Sequence, residues 1–242
     1  MRKKLKTRLS HISWHTFAPP VYWSLTYLLR GLLWVVVSWK VTGRENVPRE
    51  GALIVVSNHL NNADPPILGA GIARRRIRFM AKVELFKLPF GAIVRLWDAF
   101  PVRRFESDIG AMLTAERILK RGGAIGMFPE GHRSRTGYMG ELHPGTAMIA
   151  LRSGATVLPC AMTGTERLKQ PLVLAKRPEF RISIGEPIYL EPVRRPTQEQ
   201  VSELTRRIEA AIQAQLPAKY LPPYTGSKDG VNEANGDGDP GE

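Results

Sequence analysis

Short apolar runs alternate with helical patterns over most of the 242-residue chain, from about residue 39 to residue 216. Six of these runs have the length and the β-branched content of buried strands: 52–57, 77–80, 99–102, 124–128, 157–162 and 180–184. This alternation predicts an α/β fold, a layered mixed β-sheet flanked by helices, with an N-terminal membrane-associated helical segment added to it. In such sheets, functional residues gather where strands give way to loops.

Two helices are delimited by their own start and stop signals. The first begins after Ser107, which would act as its N-cap, and Gly122-Gly123 would end it. The second begins after Thr197, which with Gln200 forms a capping box ahead of an apolar stripe. That stripe consists of Val201, Leu204, Ile208, Ala211 and Ile212.

The chain is strongly basic, with 35 Lys and Arg against 22 Asp and Glu and a net charge of +13. This excess indicates an anionic partner: nucleic acid, acidic lipid headgroups or a phosphorylated substrate. The sequence has no RNP-like block, recognition helix or zinc-ligand spacing, which argues against nucleic acid. The single cysteine, Cys160, excludes an internal disulfide and lies in an apolar run typical of a protein core.

Composition divides the chain into three parts. Residues 221–242 are acidic, rich in Gly, Asn and Asp and poor in apolar side chains, so we expect a disordered acidic tail. Residues 39–220 carry the strand and helix alternation and are predicted to form the functional domain. Residues 1–38 are predicted to form the membrane-associated helical segment.

That N-terminal segment has a basic cluster at residues 2–8 and a mostly apolar run at residues 21–39, interrupted by Arg30. Its length is sufficient to span a bilayer, and it lacks the cleavage site of a signal peptide. Basic residues flank both ends, which favours helices lying on the cytoplasmic face of a membrane with Arg30 snorkelling to the headgroups. A single span and a helix buried in the domain are the alternatives.

A first candidate site follows the strand at 52–57 directly, in the run from Asn58 to Pro66. His59 is suited to proton transfer near neutral pH, and a carboxylate such as Asp64 on its other ring nitrogen would fix tautomer and orientation. The structural alternative treats His59 as an ordinary loop residue and Asp64 as the N-cap of a helix, with Pro65 at its first position.

Further candidates follow three other strands. Gly131 would let a ligand approach the backbone after the strand at 124–128, and Arg133 offers a planar guanidinium suited to phosphate. Arg103 and Arg104 leave the strand at 99–102, and Lys82 follows the strand at 77–80. The alternative for these four basic residues and for the turn at Gly131 is an ordinary solvated surface.

The order of these blocks resembles the 1-acylglycerol-3-phosphate (lysophosphatidate) acyltransferases of the glycerolipid acyltransferase superfamily. Asn58-His59 to Asp64-Pro65 resembles the NHx4DP motif, and 100–104 resembles the second block. The run 128–134 resembles the FPEGTRS block, with His132 in place of Thr, and 157–161 resembles the proline-containing fourth block. The resemblance covers roughly residues 41–187.

The resemblance implies an acyl transfer from acyl-CoA or acyl carrier protein to the hydroxyl of lysophosphatidic acid, without a cofactor. His59 would be the general base, and Asp64 would stabilise its imidazolium. Arg104 and Arg133 would hold the lysolipid phosphate, Arg103 and Lys82 are further phosphate candidates, and Glu130 and Gly131 would shape the pocket.

Several alternatives stay open. Arg103 stands where the family often has Asp, and Asn61 stands at a common Ser position, which leaves the acceptor open. Glycerol 3-phosphate, another lysophospholipid or a lyso-ornithine lipid are therefore alternative acceptors. A catalytically idle membrane scaffold and a metallohydrolase built on His59, Asp64 and His132 are alternatives of other classes.

Overall fold

The computed structural model describes residues 19–86, 91–102, 109–170 and 172–222. The basic cluster at residues 2–8, the Ser107 cap, Arg103, Arg104 and the acidic tail from residue 223 onward lie outside the described residues. Within the described part, the structure has α1 Pro19–Val36, α2 Asp64–Ile72, α3 Gly91–Leu96, α4 Ile109–Lys120, α5 Gly145–Ser153 and α6 Gln198–Gln213. The strands are β1 Ser38–Thr42, β2 Leu53–Ser57, β3 Ile77–Lys82, β4 Phe100–Val102, β5 Ala124–Met127, β6 Thr156–Thr163 and β7 Glu179–Ile184.

The described strands form one seven-stranded sheet in the order β1-β7-β6-β2-β5-β3-β4. Strands β6 and β7 pair antiparallel, and the other neighbouring pairs are parallel. The predicted mixed sheet flanked by helices is therefore confirmed. Because β2, β5, β3 and β4 are consecutive and parallel, their carboxyl ends lie at one edge of the sheet.

Helices cover both faces of this sheet, and β2 lies at its centre. The side chains of Ile54 and Val56 pack in a core that includes α4, α5 and α6, whereas Leu53 and Val55 pack in a core that includes α1 and α2. Every residue of β2 is buried. Burial of each such side chain contributes about 1.5–3 kcal/mol, so the strand that leads to His59 is among the most firmly held.

Helix α1 packs on α2 through one face and leaves the other exposed. Tyr22, Thr26 and Leu33 are buried, and an N–H of the Arg30 guanidinium donates to the carbonyl oxygen of Ala70 at 2.9 Å. The expectation that Arg30 would snorkel is therefore wrong, because α2 offers it a carbonyl at the end of a helix. The exposed face carries Tyr27, Leu28, Leu32, Trp34 and Val35.

Among the described residues, no helix combines the length and the apolar character that crossing a membrane requires.

The local signals near the C-terminus are confirmed. Thr197 accepts a hydrogen bond from the backbone N–H of Gln200, and the Gln200 side chain accepts one from the N–H of Thr197. The predicted apolar stripe of α6 packs on the sheet. Cys160 is buried in β6, and desolvation raises the pKa of its thiol, as expected for a core residue.

Candidate active site

The parallel strands bring two of the sequence blocks to one place. His59 lies two residues after the end of β2, and Glu130 lies three residues after the end of β5, the strand that pairs with β2. The two residues are in direct contact, because the backbone N–H of His59 donates to Oε1 of Glu130 at 2.8 Å.

His59 and Asp64 form a buried pair. Nδ1 of His59 lies 2.9 Å from Oδ2 of Asp64, and the two residues are 5% and 0% exposed. Because a carboxylate accepts hydrogen bonds, Nδ1 carries the proton in the neutral imidazole, and Nε2 is then the free acceptor. No described residue hydrogen-bonds Nε2 of His59. The arrangement can therefore accept a proton from a bound hydroxyl.

Asp64 also orders the loop that carries His59. Its Oδ2 accepts hydrogen bonds from the backbone N–H groups of Leu60 at 2.6 Å and Asn61 at 2.7 Å. The structural alternative, in which Asp64 is the N-cap, is wrong, because Ala63 is the N-cap of α2 and no side chain caps this helix. Asp64 is instead the first residue of α2, and its carboxylate accepts hydrogen bonds from residues that precede it in the chain.

The turn after β5 holds His59 by its backbone. Besides the hydrogen bond to Glu130, the carbonyl oxygen of His59 accepts one from the N–H of Ser134 at 2.7 Å. The second oxygen of Glu130 accepts from the N–H of Gly140 at 2.9 Å. The His59 ring stacks on Phe128, with centroids 4.2 Å apart and an interplanar angle of 21°. The turn thus fixes both the main chain and the ring plane of His59.

Glu130 is itself buried, at 1% exposure. Desolvation by burial raises the pKa of Glu130 above its ordinary value, and the hydrogen bonds from Gly140 and His59 oppose this rise. Both of its oxygens accept hydrogen bonds from backbone N–H groups, so this carboxylate holds the main chain at His59 in place.

Asn58 has a structural role that the sequence did not indicate. Its side-chain amide donates to the carbonyl oxygen of Met162 at 3.0 Å and accepts from the N–H of the same residue at 2.8 Å. It therefore extends the pairing of β2 with β6 beyond the strand end. An Asn directly before a candidate catalytic His is the signal that could have suggested this.

The predicted phosphate ligands are not brought into contact with the His59–Asp64 pair by any described hydrogen bond. Arg133 is exposed and has no side-chain partner among the described residues. Lys82 lies at the end of β3, where its Nζ is 3.8 Å from Oε1 of Glu84. Gly131 adopts a left-handed backbone with φ of 70°, in the turn that holds His59.

An apolar cleft of about 180 Å³ lies beside this turn. Phe128, whose ring stacks on His59, forms part of its wall. Its other lining residues come from β3, β4, β5, the turn after β5, the loop before α5 and the start of α5: Met80, Val102, Met127, Pro129, Gly131, His143, Gly145 and Thr146. His143 was not among the predicted site residues, and its position in a loop before Pro144-Gly145 carried no signal for it.

The metallohydrolase alternative requires His132 to converge with His59 and Asp64. In the part of the chain that the structure describes, no three His, Cys, Asp or Glu side chains could together hold a metal ion. His132 is exposed, and its Nδ1 lies 3.4 Å from the carbonyl oxygen of Arg133.

The sequence blocks and their geometry coincide with a known family. The family model described as Acyltransferase matches residues 38–163, from β1 to the end of β6. The chain belongs to this acyltransferase family. The matched region contains the His59–Asp64 pair and the turn that carries Glu130, and it confirms the resemblance found in the sequence.

Relatives and a solved structure agree with this assignment. The chain is 30% identical to the 1-acyl-sn-glycerol-3-phosphate acyltransferase of Bacillus subtilis over 72% of this chain and 85% of that protein. It is 34% identical to the enzyme of the same name from Borreliella burgdorferi over 52% of this chain and 51% of that protein. The crystal structure of the 1-acyl-sn-glycerophosphate (LPA) acyltransferase PlsC from Thermotoga maritima matches with a TM-score of 0.61. It is 26% identical and covers 80% of this chain and 76% of its own.

Proposed function

We propose that this acyltransferase moves a fatty acyl group from a thioester to the free hydroxyl of lysophosphatidic acid, which yields phosphatidic acid. The observation that carries the proposal is the buried His59–Asp64 pair, with Nδ1 and Oδ2 2.9 Å apart and Nε2 without a hydrogen-bond partner among the described residues. Relatives named 1-acyl-sn-glycerol-3-phosphate acyltransferase support the choice of acceptor.

The reaction needs one base and no covalent enzyme intermediate. Nε2 of His59 removes the proton from the acceptor hydroxyl as its oxygen attacks the thioester carbon, and Asp64 stabilises the imidazolium that forms. The tetrahedral intermediate then expels the thiolate, which takes the proton back from His59. The carbon–oxygen bond replaces the carbon–sulfur bond, and the products are an ester and a free thiol.

Positioning supplies much of the rate in this scheme. Glu130, Ser134 and Phe128 hold the main chain and ring of His59, so the base needs little reorganisation before the reaction. We assign Glu130 this supporting role because both of its oxygens already accept backbone N–H groups.

The phosphate of the acceptor needs cations at the same edge of the sheet. Arg133 follows β5 and Lys82 ends β3, and both strands end at the edge where His59 lies. We assign the phosphate to Arg133 and Arg104, with Arg103 and Lys82 as further contacts and Gly131 leaving space for the ligand. Arg103 and Arg104 follow β4 in the sequence and lie outside the described residues.

The donor is an acyl thioester, carried by CoA or by acyl carrier protein, and the proposed reaction needs no cofactor. The apolar cleft beside Phe128 is suited to an acyl chain, because its walls include Met80, Val102 and Met127.

We also propose that the enzyme lies on the cytoplasmic face of a membrane without crossing it. Leu28 and Trp34 on the outer face of α1 are 71% and 74% exposed, which suits insertion into the headgroup region. The basic chain would add attraction to anionic lipid. Residues 1–38 would form the attached segment, residues 39–220 the acyltransferase domain, and residues 221–242 a tail without a role in the reaction.

Product analysis by mass spectrometry tests the function. Purified protein is incubated with oleoyl-CoA and a panel of lysophosphatidic acid, glycerol 3-phosphate, other lysophospholipids and a lyso-ornithine lipid. The proposal expects phosphatidic acid as the main product. Preferred acylation of another acceptor would contradict the proposed substrate.

A pair of variants tests the role of the base. His59→Ala should lower kcat by about 10²–10⁴-fold while circular dichroism and thermal unfolding show an intact fold. His132→Ala is the matched control, because it removes an exposed imidazole in the turn after β5, and it should retain activity. Full activity in a folded His59→Ala protein would refute the mechanism.

A further inference from the structure

A second cleft, of about 350 Å³, lies between β3, the start of β4 and the outer face of α4. Three arginines line it: Arg78 from β3, and Arg117 and Arg121 from the end of α4. Thr114 adds a hydroxyl on the same helix face, and Asp98 contributes the only carboxylate among the described lining residues. We call this site the arginine cleft.

The charges of the arginine cleft do not cancel. Oδ2 of Asp98 lies 2.5 Å from Nε of Arg78 and 3.0 Å from Nε of Arg76, so this carboxylate is already shared between two guanidinium groups. The side chains of Arg117 and Arg121 have no hydrogen-bond or ion-pair partner among the described residues. The concavity therefore keeps an excess of positive charge in one place.

The ion pairs also preorganise the cleft. Asp98 adopts a left-handed backbone with φ of 56°, a conformation that costs energy in a residue other than glycine. This conformation accompanies the contact of the carboxylate with Arg78, which holds that guanidinium at the wall of the cleft. Planar guanidinium groups that are fixed in advance match phosphate oxygens better than flexible lysines do.

The arginine cleft is a neighbour of the apolar cleft beside His59. Arg78 precedes Met80 by two residues on β3, and Phe100 precedes Val102 by two residues on β4. Met80 and Val102 line the apolar cleft, whereas Arg78 and Phe100 line the arginine cleft. At about 3.3 Å per strand residue, the two clefts are offset by about 7 Å along the strands, and the arginine cleft is the one nearer to their amino ends.

The register of the sheet gives the distance to the base. Arg78 is opposite Ile125 of β5, which is opposite Ile54 of β2, and His59 lies five residues beyond Ile54. Two strand spacings across and five residues along place Arg78 about 20 Å from His59. A ligand that reacts at His59 and reaches the arginine cleft must therefore be long.

This distance distinguishes the anionic ligands. The phosphate of a lysophosphatidic acid is a few bonds from its reacting hydroxyl, so it lies too close to His59 to occupy the arginine cleft. In acyl-CoA, the pantetheine arm separates the thioester from the phosphates of the nucleotide. A bilayer headgroup is less suited, because the larger exposed apolar face belongs to α1, which packs on the other face of the sheet from α4, whereas α4 exposes only Ile109 and Leu113 among its described large apolar side chains.

We infer that the arginine cleft binds the nucleotide phosphates of an acyl-CoA donor while its thioester reacts at His59. This inference rests on the proposed acyl transfer and assigns the donor class and a specificity site for it. Arg117 and Arg121 are specificity residues in this scheme, since they contact the nucleotide end of the donor and not the reacting atoms.

Steady-state kinetics test the inference. Arg117→Ala and Arg121→Ala should each raise KM for oleoyl-CoA about tenfold, with kcat and the KM for the lysolipid unchanged. With S-oleoyl-pantetheine, which lacks all phosphates, both variants should match the wild-type protein. Lys120→Ala is the matched control, because Lys120 is an exposed cation in the same helical turn that does not line the cleft.

A direct binding measurement separates this inference from the proposed function. Calorimetric titration with adenosine 3′,5′-bisphosphate should show binding to the wild-type and Lys120→Ala proteins and about tenfold weaker binding to Arg117→Ala. Binding of this pattern in a protein that transfers no acyl group would retain the nucleotide site and refute the acyl-transfer function.

Three outcomes would overturn the inference. Equally weakened binding of adenosine 3′,5′-bisphosphate in Lys120→Ala and Arg117→Ala would show that general surface charge, and not the cleft, causes the effect. Loss of co-sedimentation of Arg117→Ala with vesicles of phosphatidylglycerol, at unchanged KM for oleoyl-CoA, would assign the cleft to lipid headgroups. A change in KM for acyl carrier protein alone would assign it to a protein donor.

Discussion

The carboxylate of Glu130 accepts a hydrogen bond from the backbone N–H of His59 at 2.8 Å, although the two residues are 71 positions apart in the chain. The same carboxylate accepts the N–H of Gly140, so it joins the loop after β2 to the loop that follows the turn. The proposed base is therefore positioned by a buried side chain that needs no contact with the substrate.

Replacement of Glu130 by glutamine tests this positioning role. The amide has one acceptor oxygen for two N–H donors, and its NH2 group would face one of them. We expect Glu130→Gln to lower kcat and to reduce the free energy of unfolding by about 1–3 kcal/mol, with urea denaturation as the measurement. Glu141→Gln, at an exposed residue of the next loop, is the control and should leave both unchanged.

The raised pKa of Glu130 predicts a pH dependence of stability. The folded chain binds this proton more tightly than the unfolded chain, so the associated stability is complete below the ordinary pKa of 4.5. It is lost as the pH rises through the raised value. The free energy of unfolding of the wild-type protein, relative to Glu130→Gln, should therefore fall as the pH increases above 4.5. A relative stability that rises with pH in urea titrations would contradict the assignment.

Replacement of Asp64 by asparagine should separate chemistry from binding. The neutral amide cannot stabilise the imidazolium of His59, so we expect kcat to fall by about 10²–10⁴-fold with little change in the KM of either substrate. The charged hydrogen bonds to the N–H groups of Leu60 and Asn61 are also weakened, and thermal unfolding should show a lower Tm. An unchanged kcat would exclude the pair from catalysis.

Two glycines with left-handed backbones form a matched test of the turn. A Cβ added at Gly131, with φ of 70°, would lie 2.9 Å from Cδ2 of His143, whereas one added at Gly137, with φ of 89°, meets nothing within 4 Å. Both alanine variants should lose about 1 kcal/mol of stability or more from backbone strain. Only Gly131→Ala should also displace His143 at the apolar cleft. Because that cleft is proposed to hold the acyl chain, this variant should raise the KM for the acyl donor in steady-state assays.

The exposed face of α1 predicts membrane attachment. Leu28→Glu places a charge where the proposal puts the headgroup region, so the variant should co-sediment less with phosphatidylglycerol vesicles than the wild-type protein does. Leu113→Glu, which changes an exposed leucine of α4 in the same way, should co-sediment normally. Equal losses in both variants would show that net charge, and not α1, controls attachment.

The sequence predicted the central strands because their apolar runs are buried on both faces, as in β2. It did not predict β1, whose residues Ser38–Thr42 are partly exposed and, among the described strands, pair only with β7 at the sheet edge. A short run with Lys40 at its centre lacks the continuous apolar pattern of a buried strand.

The site, like the fold, was predicted from the sequence only in part. The spacing of His59 and Asp64 predicted their pairing because a residue after a strand and the first residue of the next helix are neighbours in space. The partners of Glu130 are backbone N–H groups of distant residues, which no sequence pattern records. Arg30 likewise found its acceptor only because α1 packs on α2, a tertiary relationship that composition cannot show.

The stacking of His59 on Phe128, the hydrogen bonds of its peptide groups and the contact of Nδ1 with Asp64 leave Nε2 as the ring nitrogen without a partner among the described residues. Such an immobile proton acceptor sets a fixed reference point for the reaction. Lipids of different shape must then bring their hydroxyl to Nε2. Selectivity among them therefore depends on where each bound lipid places that hydroxyl, because the base does not adjust its own position.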